Sequence, residues 1–128
     1  MPLQHAKRLA PVIDFIAHSP ANTSLTSQVR ALVDTGATIT CVPEKVIADL
    51  GRRNLWATRI KVSGAFGPKL GREAYLIDIR LANCYFHKIE VVVLPSGKDY
   101  AIVGRDILNR YRIIFDGPRQ SWVVDAKC

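Results

Sequence analysis

Residues 31–37 read Ala-Leu-Val-Asp-Thr-Gly-Ala, an apolar run that ends on an acid and breaks at once into a small hydroxyl residue and a glycine. A chain built this way delivers the Asp34 carboxylate from the buried end of a strand onto a tight turn. Asp, Thr and Gly are each ordinary turn formers, so the tripeptide alone fits a plain strand-to-turn junction. The apolar prefix adds a constraint, because a carboxylate set among Leu32, Val33 and Ala37 is costly unless something satisfies or uses it. Thr35 offers a hydroxyl to brace the turn. Gly36, lacking Cβ, lets the backbone approach another group or take a positive φ.

The rest of the pattern is mostly β. Residues 12–16 are a short apolar stretch before the breakers at 18–22, residues 28–33 lead into the Asp34 turn, and residues 39–42 resume as extended chain. Pro43 opens a short helix in which Val46, Ile47 and Leu50 share a face, and Gly51 stands just past its end. Tyr75, Ile77, Ile79 and Leu81 alternate with Asp78 and Arg80, the signature of a half-buried strand. Asn83 marks a turn and residues 85–94 return as the partner strand. Asp116, Gly117 and Pro118 mark another turn, setting residues 111–115 against 121–124 as a terminal hairpin. An all-β, closed, barrel-like sheet with one or two short helices is expected. A length of 128 residues suits one domain and is too short for two complete lobes. The expected organisation is a single domain over residues 1–128, with residues 1–9 a flexible N-terminal segment and residues 111–125 a C-terminal hairpin.

Composition narrows the function classes. At 48% hydrophobic residues the chain is a folding one rather than a disordered one. No apolar run is long enough to cross a bilayer, and no apolar stretch follows His5, Lys7 and Arg8, so neither a membrane partner nor a signal peptide is expected. Cys41, Cys84 and Cys128 form an odd set without a paired framework, as in a reducing compartment, which points to the cytoplasm. Cys84 and His87 have a metal-like spacing, but no second pair accompanies them, so neither a metal nor another cofactor is expected. The net charge of +7 could attract an acidic partner or nucleic acid. The charges are dispersed, however, and no strand interleaves them with aromatics for RNA, so a solvated surface is the simpler reading.

Two further segments carry information. Between Ile60 and Tyr75 alternating arms flank a tip at Gly64, Ala65, Phe66 and Gly67, a projecting β-hairpin whose small residues leave backbone amides open to an extended ligand that Phe66 could cover. Residues 101–108 form an apolar strand that breaks at Gly104 into a short helix. There Arg105 is expected to anchor carbonyls or an acid, and Asp106 to cap the helix carrying Ile107 and Leu108.

The Asp34-Thr35-Gly36-Ala37 turn, the glycine-bearing hairpin and the late Ile-Val-Gly-Arg-Asp-Ile-Leu segment, in that order over about residues 10–116, resemble the retropepsin-like aspartic proteases. The resemblance implies a closed acid-protease barrel with one lobe per chain, a homodimer with one catalytic aspartate per subunit, and flaps that close over a peptide. It puts Asp34 in the catalytic place, Thr35 and Gly36 in the supporting turn, and residues 64–67 at the flap tip. The chain departs from the viral members at Thr38, where they commonly carry an acid, so the partner of Arg105 is open. It departs again at Pro68 in the flap and in its longer C-terminal hairpin. A bacterial or cellular single-domain member is the nearer analogy, and the viral dimer interface does not transfer.

Peptide hydrolysis by carboxylates needs one group to take a proton from water and another to give one to the carbonyl oxygen. Two adjacent carboxylates sharing a proton do both. No second Asp-Thr-Gly or Asp-Ser-Gly occurs in the chain, so an identical subunit is the simplest source of the partner. The expected function is therefore an aspartic endopeptidase acting on a peptide or unfolded protein, with Ala37, Val62, Phe66 and Ile102 as pocket residues. The alternative is a catalytically silent domain of the same fold kept for dimerisation or peptide binding.

Overall fold

Alternating burial shows how the barrel is built. In the strand Thr26–Val33, Ser27, Val29, Ala31 and Val33 turn inward while their neighbours face out, the period expected when one face of a strand meets a core. The computed structural model describes residues 3–5, 9–63 and 69–125, and side chains for residues 10–58 and 73–125. Among these, the strands are β1 Leu3–His5, β2 Leu9–His18, β3 Thr26–Val33, β4 Cys41–Val42, β5 Ala57–Ser63, β6 Lys69–Leu81, β7 Cys84–Val93, β8 Ala101–Val103, β9 Arg112–Asp116 and β10 Ser121–Asp125. The helices are α1 Glu44–Leu50 and α2 Arg105–Leu108, with a 3-10 turn at Arg52–Asn54.

The main sheet runs β1-β2-β3-β8-β4-β7-β6-β5, and a further pairing of β2 with β6 joins its ends. Six strands, from β2 round to β6, thus close into a barrel, with β1 and β5 appended to its rim. The closure is made by Ile16, Ala17 and His18 opposite Arg80, Ile79 and Asp78. The expected all-β closed barrel, one lobe in this chain with two short α-helices, is the architecture observed. Phe15, Ala17, Ala31, Val42, Ile77, Ile79, Val91 and Val103 fill the interior, all within 1% of complete burial. Helix α1 starts after an extended Pro43 and plugs the barrel with Val46, Ile47 and Leu50. The buried Ser27 hydroxyl donates to Asp49 of that helix at 2.7 Å.

Several expectations shift in detail. The β6–β7 turn uses Ala82 and Asn83, both at positive φ, the left-handed pair a two-residue hairpin requires. Asp78 does not lie on a solvated face: it is 3% exposed at an irregularity between Ile77 and Ile79, and its Oδ1 accepts the Lys88 amide at 2.8 Å. The extended stretch expected from residue 39 shortens to Cys41–Val42, because residues 37 and 38 are bonded to α2 instead. Residues 3–5 of the expected flexible segment pair as β1 with residues 9–11. Cys84 is disulfide-bonded, so cysteine usage no longer points to a reducing compartment. No helix among the described residues is long and apolar enough to cross a membrane.

The hairpin of β9 and β10 stands apart as its own two-stranded sheet. Ile113, Trp122 and Val124 from its inner face close over Ile13, Val33, Val103 and Leu108 at one end of the barrel. Trp122 is 1% exposed and anchors the hairpin.

Candidate active site

Strand β3 ends at Val33, and Asp34 follows with its amide still bonded to the Val103 carbonyl of the parallel strand β8 at 3.1 Å. The carboxylate therefore leaves a fixed strand end. Its Oδ1 accepts the Gly36 amide at 2.8 Å, and its own carbonyl accepts the Ala37 amide at 3.2 Å, which folds the turn back on the side chain. A Cβ on Gly36 would stand 3.1 Å from that same Oδ1, so a bare glycine lets the amide come close. Asp34 is half-buried and forms no ion pair among the described residues.

Thr35 braces the turn through its carbonyl, not its hydroxyl: the Arg105 guanidinium donates to Thr35 O at 2.9 Å. A second donation from Arg105 reaches Thr38 Oγ1 at 3.1 Å, which supplies the partner that the sequence left open. The Arg105 amide in turn bonds to Ala37 O at 2.8 Å. Ala37 is thus held between the Asp34 turn and α2, half-buried.

Asp106 has a role the sequence did not reveal. Gly104 occupies the helix N-cap position and makes no side-chain cap. The Asp106 carboxylate instead accepts the Thr40 amide at 3.0 Å and the Thr40 hydroxyl at 2.8 Å, along with the Ile107 amide at 2.9 Å. Thr40 is fully buried and its Oγ1 also receives the Gly104 amide at 3.2 Å. Gly104 must be bare here, because a Cβ would lie 2.8 to 3.0 Å from backbone atoms of Ile39 and Ala37. The loop after Asp34 and the start of α2 are laced together by these contacts, and Thr40, Gly104, Arg105 and Asp106 are the residues that position the carboxylate's loop.

Ile102 lies on β8 between Leu32 of β3 and Cys41 of β4, on the face opposite Ala101 and Val103, which enter the core. Ala37 and Ile102 are therefore both near the Asp34 turn. Val62 pairs through its backbone with Leu70 in the β5–β6 hairpin, and its side chain lies outside the described residues. Gly64, Ala65, Phe66 and Gly67 also lie outside them. No cluster of three or more His, Cys, Asp or Glu among the described residues is arranged to hold a metal ion.

Residues 25–110, which include the Asp34 loop and α2, match the family model for a gag-polyprotein putative aspartyl protease. Similar solved structures include a retropepsin-like aspartic protease from Rickettsia conorii, 18% identical over 91% of this chain and 83% of that one, with a TM-score of 0.57. The retroviral protease-like domain of Ddi1 from Leishmania major is 20% identical over 89% of this chain and 88% of that one, TM-score 0.52. The EIAV protease, complexed with the inhibitor HBY-793, is 17% identical over 84% of this chain and 92% of that one, TM-score 0.52. At these identities the likeness is one of fold. No curated protein matches the chain.

Proposed function

The chain belongs to the gag-polyprotein putative aspartyl protease family and has the retropepsin-like fold, and from that premise we propose that it is an aspartic endopeptidase whose site is completed by a second copy of itself. The observation that carries this reading is the Asp34 carboxylate. It is half-buried, oriented at one oxygen by the Gly36 amide, and free of any cation that would neutralise it among the described residues. A carboxylate fixed in this way, at the end of a strand and with capacity left over, is suited to meet another.

Two such carboxylates across a two-fold axis hold one proton between them, because their repulsion favours the singly protonated pair. The ionised member takes a proton from water as the water attacks the peptide carbonyl, and the protonated member donates to the carbonyl oxygen. As the C–N bond breaks, the member that took the water proton gives it to the leaving amine and the other takes a proton from a hydroxyl of the tetrahedral intermediate, so the dyad again holds one proton. An extended peptide lies between the dyad and the two flaps, with main-chain hydrogen bonds and alternate side chains in pockets. In this reading the tip of the β5–β6 hairpin, Gly64, Ala65, Phe66 and Gly67, is the flap, and Ala37, Val62, Phe66 and Ile102 line the pockets. Turnover is fastest at acidic to mildly acidic pH, where the pair is singly protonated.

The β9–β10 hairpin supports the homodimer. Its outer face carries Ile114 opposite Val123, 53% and 55% exposed, while its inner face packs against Val33, the residue before Asp34. That exposed apolar pair is suited to burial against a second copy.

The decisive experiment incubates an unfolded protein with the chain and with Asp34→Asn at several pH values, with and without a statine-type inhibitor. Cleavage by the native chain is expected, blocked by the inhibitor and lost in the variant, with folding and sedimentation unchanged. Peptide binding without turnover in the native chain would instead identify a silent binding module, and full activity in the variant would remove the mechanism.

A further inference from the structure

Trp56 is the most exposed large apolar side chain among the described residues, at 74%, whereas Trp122 is buried. It follows the 3-10 turn at Arg52–Asn54 and precedes β5, and its carbonyl accepts the Leu76 amide of β6 at 3.1 Å. The backbone is pinned while the indole is displayed. Exposing an indole so fully forgoes a large burial gain, so a covering partner is the natural use for it.

The indole lines a groove of about 450 Å³ together with Pro20, Leu55, Leu76, Arg53 and Lys88. Arg53 and Lys88 are the only charged residues lining it, and no acid does. Neither forms an ion pair among the described residues, in contrast to the adjacent Arg52, which is paired with Glu44 and Glu73. Lys88 is held in place by its own amide, bonded to the buried Asp78 carboxylate. The volume is that of a site able to hold a group the size of a drug-like ligand. The lining therefore combines apolar contact with uncompensated positive charge on fixed backbone.

We propose that this groove docks an acidic peptide segment bearing an apolar residue, the apolar side chain lying on Trp56 and the carboxylates facing Arg53 and Lys88. No lining residue belongs to the Asp34 loop or α2, so the groove is a separate surface, although β6 runs from it into the flap hairpin. The consequence for catalysis, and only that, rests on the endopeptidase reading: a substrate carrying an acidic segment away from its scissile bond is held by it. A nucleic acid is the poorer fit, because Pro20, Leu55 and Leu76 offer no second aromatic for successive bases and only two cations face the groove.

Three ligands are titrated into the Asp34→Asn protein: an acidic peptide with one leucine, the same peptide with lysines for its acids, and a mixed oligonucleotide. Acrylamide quenching of tryptophan is the readout, since Trp56 is open to the quencher and Trp122 is not. The acidic peptide is expected to shield Trp56 and the lysine peptide to leave it open. Arg53→Glu with Lys88→Glu is expected to weaken binding about tenfold, through two lost attractions and two new repulsions, with an unchanged circular dichroism spectrum. In cleavage assays on the native background the same double variant should raise KM for an acidic-tailed peptide about tenfold and leave an untailed peptide unaffected. Shielding by the oligonucleotide alone, equal shielding by both peptides, or affinity indifferent to the charge reversal would each overturn the docking site and leave the protease reading standing. Shielding by the acidic peptide in a chain that never cleaves would do the reverse.

Discussion

Two regions meet at Val33, and they are finished in different ways. On one side the Asp34 loop and α2 are closed within a single chain, through Arg105 to Thr35 and Thr38 and through Asp106 to Thr40. On the other, the β9–β10 hairpin is satisfied on its inner face by Trp122 and its neighbours, while Ile114 and Val123 stand exposed outside. The two regions divide the labour. The position of the carboxylate is encoded by contacts within one chain. The hairpin is an appendage with an exposed apolar face, and in the proposed dimer that face is the one offered to a second copy.

The comparison predicts its largest stability effect on the closed side. Asp106→Ala removes the acceptor for two Thr40 donors and the Ile107 amide, and Thr40 is fully buried. Stranding buried donors costs about 1–3 kcal/mol for each group left without a partner, so a loss of about 3 kcal/mol in folding stability is expected. Urea unfolding measures it through a lower midpoint at unchanged slope. Asp106→Asn keeps one acceptor oxygen and should lose less. A midpoint equal to that of the native chain would mean that the loop is not held from within, and the contrast between the two regions would collapse.

How much of this could be read beforehand follows the same division. The Asp34 turn, α1 between Pro43 and Gly51 and the terminal hairpin are written in neighbouring residues, so periodicity and turn chemistry found them. The Thr40–Asp106 link joins residues 66 apart, and in the sequence nothing local distinguishes Asp106 from a helix cap. The residue type of Thr35 draws attention to its hydroxyl, whereas the bond that braces the turn uses its carbonyl, an atom every residue has. Asp78 looked like the polar member of an alternating strand. It is buried because the barrel closes there, with β2 placing His18 opposite it, and closure is not a property of one strand. The groove at Trp56 draws on residues 20, 53, 55, 76 and 88, which only the rolled sheet brings together.

The open side predicts a smaller effect of a different kind. Ile114→Asp with Val123→Asp places charge on the outer face of the hairpin, where both native side chains are more than half exposed in one protomer. Folding stability of the isolated protomer should move by no more than about 0.5 kcal/mol. Association should weaken by at least about 2 kcal/mol, because two apolar side chains from each protomer lose their burial, which is roughly a 30-fold rise in the dimer dissociation constant. Sedimentation gives the constant, and specific activity at a fixed low concentration should fall with it. If the variant dimerises as before, the unused face lies elsewhere, and if its folding fails, the hairpin is not the independent appendage described above.

Tyr111 joins the two regions and gives the smallest expected change. It follows α2, lies edge-on to Phe86 with ring centroids 5.8 Å apart, and lines the space between the hairpin and the barrel. Its hydroxyl is buried with no hydrogen-bond partner among the described residues, and burial pushes the phenol up to about 12. Because an unfolded tyrosine ionises near pH 10, the folded chain retains its proton over a span where the unfolded chain has lost it. The contribution from the neutral phenol is whole below about pH 10 and is lost as pH rises toward 12. Tyr111→Phe removes both the stranded hydroxyl and this titration. At neutral pH it should gain about 1 kcal/mol, seen as a melting temperature higher by about 3–6 °C. Between pH 10 and 12 its margin over the native chain should widen, since only the native chain carries the Tyr111 phenol. A margin that stays constant across that span would show that the phenol ionises as freely in the folded chain as in water, and that the seam between barrel and hairpin is open to solvent.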